Sequence, residues 1–181
     1  AVPVYDMTLE KIAEAAKKIE AVHGKVLLYH GSKSGIEGVI EPKSRKQCDF
    51  GRGFYMGTDP GQTLTLICDY EKSKFYIVSV DVNELELLNV PADIEWAMLV
   101  AYNRGRMDTE FYNKYRNMAA GKDLLIGSIA NDRMFYVIDN FFIGNITDAA
   151  LVHSLSALQL GSQYVAVSQR GCDAIHIEAE I

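Results

Sequence analysis

Apolar residues along the chain recur at two spacings, and the changes between them divide it into elements. From Thr8 to Val22 the apolar positions Leu9, Ile12, Ala13, Ala16, Ile19 and Val22 lie among Lys and Glu. This predicts an amphipathic helix over about residues 8–22, with Thr8 as its N-cap. Gly24 ends that pattern, and the run Val26-Leu27-Leu28-Tyr29 predicts a buried strand that delivers His30 and Gly31 at its end. A polar stretch from Ser32 to Asp49, punctuated by Gly35, Gly38 and Pro42, predicts a loop before a second strand at Gly53-Phe54-Tyr55-Met56. Asp59-Pro60-Gly61 predicts a turn leading into a short helix over 62–70.

Further strands are expected at 75–80, 86–90, 123–126, 164–168 and 174–179, and helices at 94–102, 110–119, 133–142 and 147–158. Strands come early and late, with a helical middle, so the pattern predicts an α+β fold rather than a regular βαβ series. No linker or repeat divides it, and residues 1–181 are expected to form one domain.

Composition narrows the function classes. Eighteen basic against twenty-four acidic residues give a net charge of −6, so the chain lacks the overall positive field that favours nucleic acid. A nucleic-acid substrate would need a local basic patch. Cys48, Cys68 and Cys172 are odd in number and lack metal-ligand spacing, which suits a reducing cytoplasm. No run of roughly 18 apolar residues predicts a membrane span. There is no Walker loop, complete GxGxxG, HExxH or GxSxG, and His23, His30, His153 and His176 are scattered, so no metal is expected.

Three segments of strand-end polar residues remain: Leu28-Tyr29-His30-Gly31-Ser32, Asp49-Phe50-Gly51-Arg52-Gly53-Phe54-Tyr55-Met56 and Gln163-Tyr164-Val165-Ala166-Val167. In order and spacing they resemble the three motifs of the poly(ADP-ribose) polymerase-like branch of the ADP-ribosyltransferases. Gln163 stands where the polymerases have Glu, and in this it is similar to a bacterial group of uncharacterised domains of that superfamily. The motifs span residues 25 to 168, with about 20 clear matches. The resemblance implies two packed antiparallel or mixed sheets around an NAD cleft, with peripheral helices, and a cytoplasmic mono-ADP-ribosyltransferase.

The resemblance also implies roles. His30, Tyr55 and Gln163 take the catalytic positions. His30 bonds a ribose hydroxyl of the adenosine half, the Gly31 backbone approaches the nicotinamide amide, Ser32 joins the cofactor-binding residues, Tyr55 offers its ring to nicotinamide, and Thr63 supplies a hydroxyl to the same amide. Arg45, Lys46 and Arg52 are placed by charge near the diphosphate. Breaking the nicotinamide–ribose bond develops oxocarbenium character, so positioning and charge stabilisation carry the chemistry. A neutral Gln163 orients a hydroxyl but is no base near neutral pH, which argues against chain elongation and leaves single transfer, NAD hydrolysis or binding alone. Asp123 and Asp132 either shape the site from the side or only form turns. Protein is expected as the acceptor before nucleic acid, and an inhibitory protein partner is compatible with the superfamily's toxin-like members.

Overall fold

The computed structural model describes residues 2–107, 112–130, 133–156 and 159–181. In chain order the elements are α1 (Val2–Lys17), β1 (Lys25–Ser32), β2 (Phe54–Gly57), α2 (Pro60–Thr65), β3 (Lys74–Asp81), β4 (Leu87–Val90) and α3 (Ile94–Asn103). They continue with α4 (Tyr112–Arg116), β5 (Leu124–Ala130), α5 (Met134–Phe142), α6 (Asp148–Ser156), β6 (Gln159–Ala166), α7 (Gln169–Asp173) and β7 (Ile175–Glu180). The fold is α+β. Among the described residues the strands form one seven-stranded sheet in the order β4-β5-β6-β2-β1-β3-β7. Only β4 and β5 run parallel.

One hydrogen-bonded sheet therefore replaces the two expected, for a reason visible in its middle. β1 pairs with β3 over eight residues, Lys25↔Asp81 to Ser32↔Lys74, and β2 pairs with β6 over four. The junction between β1 and β2 is the single register pair Tyr29↔Gly57. Two well-paired halves are thus stitched into one sheet at a point.

Strand alternation assigns the two faces. Leu28, Tyr76 and Val78 from one half share a buried cluster with Phe54, Met56, Leu124 and Ala166 from the other. The helix packed at that cluster's edge, α7, has only five residues, and the inner face is filled by side chains of both halves together with Ile36, Ile40 and Leu85 from the loops. The outer face is covered by helices. Phe75 and Ile77 pack under α1 and α2 with Ile12 and Leu64, while Leu125 and Val165 pack under α3 with Trp96 and Leu99. Each such large aliphatic side chain contributes roughly 1.5–3 kcal/mol when fully buried.

Local chemistry explains the element ends. Helix α3 is buried nearly all round, from Trp96 to Ala101, as a helix enclosed by α4, α5 and α6 must be. Asp93 caps it by accepting from the Glu95 and Trp96 N–H groups. Asp59-Pro60 is the N-cap and first turn of α2 rather than a separate turn. The first helix begins at Val2 and ends at Lys17, so Thr8 lies inside it and is not its cap. Val22 is about half exposed, whereas Leu9, Ile12, Ala16 and Ile19 do face the core.

Candidate functional site

Past Tyr29↔Gly57 the strands β1 and β2 part, and glycines on both sides permit it. A Cβ on Gly31 would lie 2.9 Å from Ile67 Cγ2 and 3.3 Å from Thr63 O. One on Gly53 would meet Val165 Cγ1 at 2.6 Å and Ala166 O at 2.9 Å. Without side chains, β1 is drawn against α2 and the residue preceding β2 is drawn against β6. Between them lies a cavity of about 590 Å³ whose walls include His30, Gly31, Ser32, Ser44, Phe54 and Tyr55. That volume falls within the roughly 300–1,000 Å³ of small-molecule sites.

His30 spans the gap. Its Nδ1 is 2.6 Å from the Tyr55 carbonyl oxygen, and its ring stacks on Phe54 at 4.0 Å and 21°. A carbonyl only accepts, so Nδ1 carries the proton and Nε2 of the neutral ring is an acceptor. Burial lowers the His30 pKa, against the opposing pull of the Tyr55 carbonyl. Among the described residues no fully buried side-chain nitrogen or oxygen lacks a partner, so the unbonded Nε2 is reachable from outside. Ser32 Oγ accepts from the Gly35 N–H at 2.9 Å, and Tyr76 OH accepts from the Ile36 N–H at 2.9 Å. These two bonds hold the loop that walls the cavity.

Tyr55 serves the cavity differently from the ring-stacking role its motif implies. Its side chain faces the outer side of the sheet, packed against the α3 cluster. Its hydroxyl accepts from the Phe50 N–H at 3.0 Å and donates to the Gly51 carbonyl at 2.5 Å, and burial raises its pKa. The ring is a pillar under the Phe50-Gly51 turn.

Gln163 lies opposite Gly57, on the same outer face as Tyr55, and is 5% exposed. Its Nε2 donates to Asp49 Oδ2 at 3.0 Å and to the Ser128 carbonyl at 3.1 Å. Both partners only accept, which fixes the amide's orientation and leaves Oε1 as an available acceptor. The hub of this network is Asp49, a residue quoted only as the start of the second motif and given no role by the sequence. Its Oδ1 takes Arg104 Nε at 3.0 Å and Nη2 at 2.8 Å, and its Oδ2 also takes the Ala130 N–H at 3.1 Å. A carboxylate four residues ahead of the Gly53-Phe54-Tyr55 strand was the available signal.

The other expected residues are dispersed. Thr63 is buried with its hydroxyl donated to the Asp59 carbonyl at 2.9 Å, and it lies behind Gly31 without lining the cavity. Arg45 and Arg52 border other cavities, Arg45 with Lys46 and Arg106, Arg52 with Tyr102 and Lys122. The cations on the His30 cavity are Lys33 and Lys43. Asp123 accepts from the Glu86 N–H and the Ser168 hydroxyl. These bonds, with Arg170 nearby, lower its pKa, and they join two loops away from the cavity. Asp132 lies outside the described residues. Among them no cluster of three or more His, Cys, Asp or Glu could hold a metal, and no helix is long and apolar enough to cross a membrane.

A family model described as Protein of unknown function (DUF3990) matches residues 26–177. That span runs from β1 into β7 and takes in both lips of the gap and the Asp49 hub, leaving α1 outside. No curated protein matches the sequence.

Proposed function

The chain belongs to the DUF3990 family, and we propose that it is an NAD-dependent mono-ADP-ribosyltransferase with the dinucleotide seated in the gap between β1 and β2. The observation that carries this reading is the gap itself. Segments His30-Gly31-Ser32 and Gly53-Phe54-Tyr55, singled out by motif, wall one cavity where the strands diverge, and His30 bridges them. Neutral His30 would accept from a ribose hydroxyl through Nε2. Phe54 supplies an aromatic surface beside it, and Lys33 and Lys43, rather than Arg45 and Arg52, are the cations at hand for the diphosphate.

In the reaction nicotinamide leaves with the electron pair of its bond to the ribose C1′. The acceptor's nucleophile then bonds C1′ and gives up its proton. Gln163, held on the opposite face of the sheet by Asp49 and Ser128, does not line this cavity, and its Oε1 would serve only where the ribose reaches through the gap to that face. Such a group orients a hydroxyl but removes no proton, so turnover should be slow.

The test is incubation of the chain with NAD labelled in the adenylate half, following nicotinamide release and label on protein acceptors. Release with transfer supports the proposal, and release without transfer makes the chain an NAD hydrolase. A second reading, an NAD-binding module without turnover, is favoured by the near-complete burial of Gln163. Binding without release would establish it, and absence of binding would end both.

A further inference from the structure

The chain's net charge is −6, yet one cavity of about 990 Å³ is lined by four cations, Lys46, Arg52, Arg116 and Lys122, and among the described residues by no carboxylate. It lies between the Gln47–Gly53 turn, α4 and the turn after α4. Aromatic rings share the wall: Tyr102 and Tyr112 meet edge to face at 5.5 Å and 81°, and Tyr112 is 40% exposed. A second depression continues from it through Lys46 and Gln47 to Arg45, Arg104 and Arg106. Arg104 and Arg106 are paired with Asp49 and Asp139, whereas among the described residues Arg45, Lys46, Arg52 and Lys122 have no carboxylate within ion-pair distance.

We propose that this basic, tyrosine-bearing surface binds single-stranded nucleic acid. Lone phosphate would use the cations but not the rings, and an acidic peptide would leave the rings equally idle. A strand uses both, stacking a base on an aromatic face while cations follow successive phosphates. The continuation into the second depression extends the positive surface past what one nucleotide's phosphates would occupy. This is the local patch that an acidic chain needs if it is to hold a polyanion. The surface is distinct from the His30 cavity, the Gln47–Gly53 turn standing between them, so the inference does not depend on NAD turnover.

The test is fluorescence anisotropy of the full chain with a labelled single-stranded RNA about 12 nucleotides long, within the span single-strand sites cover. Binding is expected to weaken with salt at a slope of about −2 to −3 in log–log form, from three or four phosphate contacts. Arg52→Glu with Lys122→Glu, the first exposed and the second half-buried, should lower affinity by tenfold or more, and Tyr112→Ala by about fivefold to tenfold. A thermal melt verifies folding, and Lys11→Glu on α1 with Lys18→Glu just after it imposes the same change in net charge elsewhere and should leave binding within twofold. No RNA binding at low salt would overturn the proposal. So would equal loss in the Lys11→Glu, Lys18→Glu variant, or ADP competing as well as the strand. Failure of nicotinamide release would leave it standing.

Discussion

Two polar constellations lie on opposite faces of the same sheet, and they differ in where their hydrogen-bonding capacity goes. At Asp49, both carboxylate oxygens are filled by Arg104, Gln163 and the Ala130 N–H, so the site is closed on itself. At His30, one ring nitrogen is anchored and the other is left open beside a cavity. A closed network fixes geometry, and an open one can meet a ligand. The candidate site joins the two, with Tyr55 as the link: its carbonyl holds His30 and its hydroxyl holds the turn after Asp49. If that division is right, changes at Asp49 should be read first in stability and changes at His30 first in binding.

The largest effect is expected from Asp49→Ala, which takes the carboxylate from the Arg104 guanidinium and leaves the Ala130 N–H and one Gln163 N–H unmet. Breaking a fully buried pair costs about 3–5 kcal/mol, and because Arg104 is 26% exposed the lower end, about 3 kcal/mol, is expected in urea denaturation. A loss under about 1 kcal/mol would show that the hub does not organise the core. Gln163→Glu should be next, at about 2 kcal/mol, because a carboxylate cannot donate to Asp49 or Ser128 and sets a like charge beside Asp49. Burial and that charge raise the new group's pKa in the folded state, so the variant should regain stability as pH falls. Stability falling with pH faster than in the parent would contradict the geometry.

Tyr55→Phe should cost about 1–2 kcal/mol, since it leaves the Phe50 N–H without its acceptor. If NAD binds in the gap, affinity should change less than in His30→Ala, a result that isothermal titration would settle. The smallest stability effect belongs to His30 itself. Its pKa is lowered on folding, so the unfolded chain takes up the proton first. Its contribution is complete above the ordinary value of 6.5 and is lost as pH falls below it toward the lowered value. The pH dependence of melting in this window should flatten in His30→Ala, and an unaltered profile would place the ring in water.

Much of this architecture was legible in the chain. Seven strands fall where apolar runs and alternation put them, because β1, β3 and β5 carry enough Val, Ile and Leu to announce a buried sheet. Helix α3 matched closely, since Asp93 is a cap and the apolar run behind it is unbroken. What failed was non-local. The five-residue α7 has no room for a 3.6-residue period, and it fills the stretch between the two expected terminal strands to which the pattern assigns no element. Which face Tyr55 occupies depends on the parity of β2 against β6, and Asp49 gains its meaning from Arg104 and Gln163, 55 and 114 positions away. Motif order placed His30, Gly31, Ser32 and Tyr55 together, but charge alone could not tell which cations would reach their cavity.

The lone pair Tyr29↔Gly57 has a mechanical consequence. Rotating one half-sheet about a single rung stretches no second rung, only the His30–Tyr55 bond, so this line is more compliant than the ladder of either half. The width of the gap can therefore change without breaking either half's ladder. Amide exchange should divide accordingly, with the paired interiors of β3 and β6 slow and those N–H groups of β1 and β2 that face the gap instead of a ladder fast until something fills the space between them.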